Sequence, residues 1–451
     1  MSQVCDIATA ATRPLGGHPS VPLSTRAEPG RSGGRAMLLR STSSPSCTHA
    51  MAVQNRPTAK AAPEKSHSKP VRDRHASKTK GYLEVVKQTE AVVVDMGTGY
   101  FKCGFAGEPW PSHIVSSVGN HPQEAKGKPE ETFIGRVLQD TCVPLNLISP
   151  LTHGVVVDWQ SVQDILQYIF QTEMQICLED HAVLLSVPPL CSMADKKKYA
   201  ELMFEGFHVP AVHLAYQSQL SMYSYGKTSG LVVESGHGAS HVVPIYEGYV
   251  LRSVTGSVDY AGLDITNYLM QLLNESGYTF TENQRSIIED LKERCCYTSL
   301  DLMQDLNLPL KKQQADYELP DGHLITVGKE RFLCAEALFK PSLLGSQQPG
   351  LPQLTLGCLE KCDTDINKKL VRNVLLCGGS TMMEGFPDRF QSELSKMWPS
   401  DNVLITASPQ RKSSVWVGGS ILASLRSFQK LWVYRKEYEE WGPSCIFKKC
   451  F

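Results

Sequence analysis

Two short turns hold the residues of this chain best suited to chemistry: Asp95-Met96-Gly97-Thr98-Gly99 and Glu234-Ser235-Gly236-His237-Gly238. Each follows an apolar, β-branched run, Ala91-Val92-Val93-Val94 or Leu231-Val232-Val233, and each precedes another strand-like stretch. That setting predicts two β-hairpins whose glycines let the backbone approach a ligand closely. Successive backbone N–H groups in such turns form an anion-binding concavity, to which the Thr98 and Ser235 hydroxyls can add donors. Taken singly, either turn is an ordinary glycine-rich hairpin. Facing each other across a cleft, the pair would clamp the phosphates of a nucleotide from both sides.

A third segment completes the set. Asn373-Val374-Leu375-Leu376 leads into Cys377-Gly378-Gly379-Ser380-Thr381-Met382, and a helix-like stretch from Phe386 to Met397 follows. Glycines between a buried strand and a helix suit the packing of an adenine ring or ribose against backbone.

These loops need elements to position them. Segments rich in Val, Ile and Tyr alternate with helical ones. Ser192 is a predicted N-cap for a helix from Met193 to Phe207, and Thr281 for one from Glu282 to Arg294. Ala261 to Asn274 and Ser420 to Gln429 also space their apolar residues as helices do. Such alternation predicts mixed sheets covered by helices.

The chain has 451 residues, enough for more than one domain. Its formal net charge of −1 hides an asymmetry: residues 1–80 hold 13 Lys+Arg against 4 Asp+Glu, leaving residues 81–451 at a formal −10. The first 80 residues are rich in Ser, Thr, Pro, Ala and basic residues without an apolar period, a composition that predicts disorder. Within them, Lys65 to Lys80 reads as a nuclear-import signal, an anchor for an acidic partner, or a solvated linker. The apolar cluster Ala36-Met37-Leu38-Leu39 is too short for a signal-peptide core, and no run reaches bilayer length, so a soluble intracellular protein is expected. The 14 cysteines, including Cys295-Cys296 and the pair Cys358 and Cys362, lack zinc spacing and read as reduced thiols. His237 and His241 fall on extended chain, up to about 13 Å apart, which argues against a two-histidine metal site.

In this order the three loops resemble those of the actin family, and the similarity runs over nearly everything from about Lys87 to Phe451. Further stretches carry it: Phe105-Ala106-Gly107, Pro244-Ile245-Tyr246-Glu247-Gly248-Tyr249, Tyr317-Glu318-Leu319-Pro320-Asp321-Gly322, Ser414-Val415-Trp416, Gly418 to Leu425, and Lys449-Cys450-Phe451. Within the family the chain is similar to divergent, testis-type actin-like proteins, not to muscle or cytoplasmic actins. The resemblance implies an α/β, actin-like ATPase fold, with two ribonuclease-H-like lobes and inserted smaller subdomains around a nucleotide cleft. It places a disordered basic extension at 1–86 and an actin-like domain at 87–451. Lobe 1 would comprise about 87–224 and 414–451, lobe 2 about 225–413, and the inserted subdomains about 117–149 and 261–346.

The same resemblance implies ATP or ADP as cofactor. Asp95, Gly97, Thr98, Gly99 and Lys102 match the first phosphate loop, and Glu234, Gly236, His237 and Gly238 the second. Lys292 and Glu293 match residues beside the purine and ribose, and Gly378, Gly379, Ser380, Met382 and Lys412 the adenine side. Gln217 and His241 stand where actin places its attacking water, and Asp95 and Glu234 where it holds hydrated Mg²⁺. Met96, Ser380, Met383, Glu289 and Ser413 depart from the family pattern, so the grip on the base is expected to be altered. Glu234 extends its carboxylate by a methylene and His237 removes a charge. Mg²⁺ demands near-ideal geometry, and a displacement of about 1 Å can cost roughly a hundredfold in rate, so hydrolysis well below that of actin is expected. As a cation beside a triphosphate, His237 would tighten ATP binding at pH 6 relative to pH 8; the alternative is a histidine that merely fills the loop.

Tyr223, Gly226, Thr228, Ile421, Leu422 and Leu425 match the apolar cleft in which actin receives amphipathic helices, although such a stripe equally fits core packing. The stretch Asn120 to Glu131, matching the loop that actin inserts into the next subunit, is shorter, charged and prolyl, and Leu343 to Gly350 is only partly actin-like. Autonomous filament growth is therefore disfavoured. The implied function is a nucleotide-binding scaffold of a germ-cell cytoskeleton, in the cytoplasm of developing sperm or at the acrosomal region. Its expected partners are actin-binding-type or germ-cell cytoskeletal proteins, and actin itself. The alternatives are an active filament-forming ATPase and a nuclear actin-related subunit of a chromatin complex. Nucleic-acid contact is expected only through the basic tail.

Overall fold

The computed structural model describes residues 90–116, 119–122, 134–135, 145–399 and 402–450. The predicted extension 1–86, with its Lys65 to Lys80 run, and most of the Asn120 to Glu131 stretch lie outside these residues.

The first hairpin forms as predicted. Strand β1 (Val92–Met96) pairs antiparallel with β2 (Tyr100–Phe105), which pairs with β3 (His113–Ser116). A separate hairpin of β4 (Gly119–Pro122) and β5 (Leu145–Ile148) follows, then a two-residue pair, β6 (Leu151–Thr152) with β7 (Val155–Val156). Strands β8 (Val183–Val187) and β9 (Ala211–Tyr216) continue the first sheet, β8 parallel to β1 and β9 parallel to β8. These strands are near-continuous apolar runs because both faces are covered. Val92, Val94, Val183 and Leu185 enter one core cluster, and Val93 and Leu184 enter another on the opposite face.

A second sheet repeats the plan. Strand β10 (Gly230–Ser235) pairs antiparallel with β11 (Ser240–Tyr246), flanked by β12 (Tyr249–Val250) and β13 (Gly256–Val258). A small hairpin, β14 (Ala315–Glu318) with β15 (Leu324–Val327), lies in the predicted insertion. Strand β16 (Val374–Cys377) runs parallel to β10, and β17 (Ile405–Thr406) parallel to β16. The chain then returns to the first sheet, where β18 (Val433–Tyr434) pairs with β9.

The helices largely follow their sequence signals. Ser192 Oγ caps α1 (Met193–Glu201) by accepting from Asp195 N at 3.0 Å, but regular helix then gives way to a π turn over Leu202–Gly206. Helix α2 (Gln217–Ser224) joins the two halves: Leu220 and Tyr223 belong to a cluster under the first sheet, Met222 to one under the second. Helix α3 (Gly262–Glu275) agrees with its periodicity to within a residue. Thr281 caps a short 3₁₀ turn, Glu282–Gln284, which leads into α4 (Arg285–Cys295). Two short helices, α5 (Leu302–Leu306) and α6 (Leu310–Gln313), precede β14, and α7 (Phe386–Met397) matches its prediction. The last predicted helix is displaced. Helix α8 covers Ser414–Ser424, and a 3₁₀ turn at Ser427–Lys430 replaces its expected end.

The displacement has a packing cause. Gly418 and Gly419 are poor helix formers, yet here a Cβ on Gly418 would lie 1.7 Å from the Leu220 carbonyl oxygen, so only glycine lets α8 meet α2 this closely. Trp416, fully buried, donates its indole N–H to Val93 O at 3.1 Å and locks α8 onto β1.

Candidate functional site

The first turn places its charges by strand register. Asp95 and Lys102 are direct cross-strand partners, and Lys102 Nζ lies 3.0 Å from Asp95 Oδ2. Ser186, at the end of β8, donates to Asp95 Oδ1 at 2.7 Å and accepts from Met96 N at 3.1 Å. Asp95 is thus held on both oxygens. Ser186 escaped the sequence reading; its signal was a lone polar residue in the apolar run Val183–Val187.

The second turn is arranged differently. Glu234 pairs across the hairpin with His241, and Ser235 with Ser240. The Ser235 hydroxyl faces inward against Ser240 Oγ at 2.9 Å, and Ser240 donates onward to Tyr260 O, so Ser235 is not the ligand donor that its sequence position suggested. Glu234 is buried and its Oε2 has no hydrogen-bond partner. Burial, with the negative charge of Asp95 across the cleft, pushes its carboxyl up to about 7. Burial, reinforced by the positive charges of Lys292 and Arg285, pushes the His237 imidazole down to about 4. His241 is likewise pushed down to about 4 by burial.

The third loop closes onto the second. Gly378 has φ +88, and a Cβ there would meet Ser235 O at 2.2 Å. Ser380 Oγ donates to Gly236 O at 2.6 Å. From α4, Lys292 Nζ donates to Gly262 O at 2.9 Å and to Thr266 Oγ1 at 2.7 Å, bracing the N-terminal turn of α3. Glu293 reaches Lys412 at 3.2 Å; both are exposed, so this pair adds little to stability.

A cleft of about 520 Å³, within the usual range for small-molecule sites, gathers these residues. Every predicted nucleotide-contacting residue on the three loops lines it, as do Lys292, Glu293, Lys412, Gln217 and His241. The two hairpin turns touch across it. A Cβ on Gly99 would lie 2.7 Å from His237 Cγ, and one on Gly238 would lie 2.6 Å from Thr98 Cγ2. Between β6 and β7, His153 Nδ1 lies 2.6 Å from Gly238 O, and Gly154 N donates to Thr98 Oγ1 at 3.0 Å. His153 and Gly154, with Tyr100 and Arg411 on the cleft walls, were not singled out in the sequence. The positive φ of 49° at His153 is a backbone signal that composition does not carry. Gln217 Nε2 donates to Met96 O at 3.1 Å, which fixes the amide beside the first turn.

The donor set suits an anionic ligand accompanied by a hard cation. Glycine-lined turns offer backbone N–H groups, Lys102 supplies positive charge, and the orphaned Glu234 oxygen lacks a partner that a hydrated cation would provide. Among the described residues no cluster of three or more His, Cys, Asp or Glu side chains forms a direct metal cage.

The predicted partner cleft separates into two classes of residue. Tyr223 and Leu422 are core, each 5% exposed, whereas Gly226, Thr228, Ile421 and Leu425 are half-buried. Among the described residues no helix is long and apolar enough to cross a membrane.

Comparison with known proteins gives the same assignment. The actin family model matches residues 86–451. Actin-like protein 7A from Rattus norvegicus is 54% identical over 379 residues, covering 83% of this chain and 86% of that protein. Human actin-like protein 7B is 56% identical over 370 residues, covering 81% and 89% respectively. Human actin-like protein 7A is 54% identical over 367 residues, covering 80% and 84%. Paired phosphate-type hairpins on two similar sheets, with the family model matching residues 86–451, show that this chain belongs to the actin family, whose domain in general binds a nucleotide with a divalent cation.

Proposed function

We propose that this protein is a structural or scaffolding component of the cytoskeleton that holds ATP or ADP in its cleft and hydrolyses it weakly or not at all. One observation carries the reading. The second turn brings to the cleft one buried glutamate, its Oε2 without a hydrogen-bond partner, and a histidine, where efficient turnover calls for fixed negative charge around a metal.

The roles of the chain's own groups follow. Backbone N–H groups of Thr98, Gly99, His237 and Gly238, with Lys102, bind phosphate oxygens, while those of Gly97 and Gly236 close the turns by donating to Tyr100 O and Ala239 O. Asp95 and Glu234 would hold Mg²⁺ through water, and the bound cation would neutralise phosphate charge. Lys292, Glu293, Gly378, Gly379, Ser380, Met382 and Lys412 wall the base side. Gln217, fixed by Met96 O, and neutral His241 can orient a water molecule. With its pKa near 4, however, His241 is a weak proton acceptor at neutral pH. Resemblance to the testis-type group supports a setting in spermatids or the sperm head, with actin-type or germ-cell cytoskeletal partners.

The test compares ATP binding and single-turnover hydrolysis in the native chain and in Glu234→Asp/His237→Asp. Both bind nucleotide, and the double variant hydrolyses at least about tenfold faster, given the cost of misplaced catalytic groups. Equal rates would overturn the weak-hydrolysis reading; failure of the native chain to bind ATP or ADP would overturn the cofactor.

A further inference from the structure

We propose that the His237 side chain is a latch between the two hairpin turns: packed on Gly99, it resists their separation and slows both entry and release of the nucleotide held between them. The control over exchange rests on the nucleotide reading above, whereas the contact itself belongs to the fold.

The contact joins two sheets. Gly99 follows β1 in the first sheet, and His237 follows β10 in the second. A Cβ added to Gly99 would meet three atoms of a single side chain, His237 Cγ at 2.7 Å, Cβ at 2.9 Å and Nδ1 at 3.0 Å. The first turn returns the contact, since a Cβ on Gly238 would meet Thr98 Cγ2 at 2.6 Å and Thr98 Cβ at 2.9 Å. Each turn thus offers a glycine as the seat for a side chain of the other, an approach that any larger residue at either seat would block. A histidine that merely filled its own loop would rest on its own sheet. This one is seated on the turn opposite.

The ring is also backed from behind. Leu263 N donates to His237 O at 2.8 Å and Gly262 N to Gly236 O at 3.1 Å, so the start of α3 holds the turn's backbone. On α4, Glu289 Oε1 lies 3.9 Å from His237 Nδ1, and the two side chains are only 21% and 23% exposed. His237 and Glu289 both depart from the family pattern, and the fold brings the two departures together. A two-rotor side chain backed in this way enters its contact with little ordering left to lose.

Phosphates gripped by N–H groups of both turns leave when the turns part, and that motion strips the imidazole from Gly99. Entry requires the same motion. A latch therefore scales association and dissociation together and leaves their ratio, the affinity, nearly unchanged. A side chain that served as a phosphate ligand would instead change dissociation and affinity and leave association alone.

The experiment uses the full chain, mant-ATP in stopped flow, and the variants His237→Ala and His237→Asn. Asparagine keeps Cβ, Cγ and an atom in the place of Nδ1, the three that meet Gly99, and carries no charge; alanine keeps only Cβ. His237→Ala is expected to raise both rate constants about tenfold with Kd within about threefold of native, a gain in association rate that misfolding cannot produce. His237→Asn should stay within about threefold of native in both rates. Hydrogen exchange without nucleotide, read by mass spectrometry over residues 95–102 and 234–241, should quicken in His237→Ala and not in His237→Asn. Native rates in His237→Ala, faster dissociation with unchanged association, or an equal response of the two variants would overturn the latch. A native chain that binds neither mant-ATP nor mant-ADP would overturn the nucleotide reading and the control over exchange with it. Hydrogen exchange then decides the contact alone: faster exchange in His237→Ala than in His237→Asn upholds it, and equal exchange overturns it.

Discussion

Glu234 differs from an aspartate by one methylene, yet its environment matters more than its length. Its Oε2 is buried without a partner and Asp95 lies across the cleft, so the proton is held up to a pH of about 7. Because the folded-state pKa is raised, the unliganded fold binds more protons than the unfolded chain between about 4.5 and 7. Stability from this group is complete below 4.5 and lost as pH rises through 7, a swing of up to about 3 kcal/mol. Glu234→Gln, which mimics the protonated form, should therefore raise the melting temperature at pH 8 and leave it nearly unchanged at pH 5. The same titration governs the cation, since only the deprotonated carboxylate offers negative charge to the water shell of Mg²⁺. Mg²⁺ should enhance nucleotide affinity more at pH 8 than at pH 6 in the native chain and equally at both in Glu234→Gln, as read by titration calorimetry.

At the scale of elements, α2 and α8 show what the sequence conveys and what it omits. The apolar run that became β1, the strand-turn-strand pattern around residues 95–99 and 234–238, and the glycines after β16 were legible because period and turn chemistry are local. The start of α8 at Ser414 was not legible. Gly418 and Gly419 lower local helix propensity, and the reason for them is a contact with Leu220 nearly two hundred positions earlier in the chain. Ser186 and His153 were missed for the same reason: a nonlocal fold gives them partners in Asp95 and Gly238. Ser235 was misread because the hairpin register decides which side chains face the ligand. Two alanine substitutions separate packing from propensity. Gly418→Ala should destabilise the protein by at least about 2 kcal/mol in chemical denaturation, since the Leu220 backbone cannot yield as a side chain would. Gly357→Ala, in the helix Leu351–Glu360 with nothing within 4 Å of the new Cβ, should instead stabilise by about 0.5–1 kcal/mol.

For the whole molecule, the two sheets and the helix between them make an actin-type body, and the question is whether that body assembles. The segment matching actin's second contact region is pulled onto the protein's own surface. Gln348 Oε1 accepts from Asp259 N at 3.1 Å, and the Tyr260 hydroxyl donates to Pro349 O at 2.6 Å. A loop tied down by a buried tyrosine has little freedom to project into a neighbour, and Leu343, 40% exposed, is a small anchor for a subunit contact. The acidic body, a formal −10 over residues 81–451, adds repulsion between copies at low ionic strength. In Mg-ATP and salt, phosphate release per molecule should therefore stay constant as protein concentration rises, and high-speed centrifugation should leave the protein in the supernatant. Filament formation would instead produce a threshold concentration above which both release per molecule and pelleted mass increase. Such a threshold, persisting in Leu343→Asp, would show assembly through another surface and replace the scaffold reading with that of a nucleotide-timed polymer.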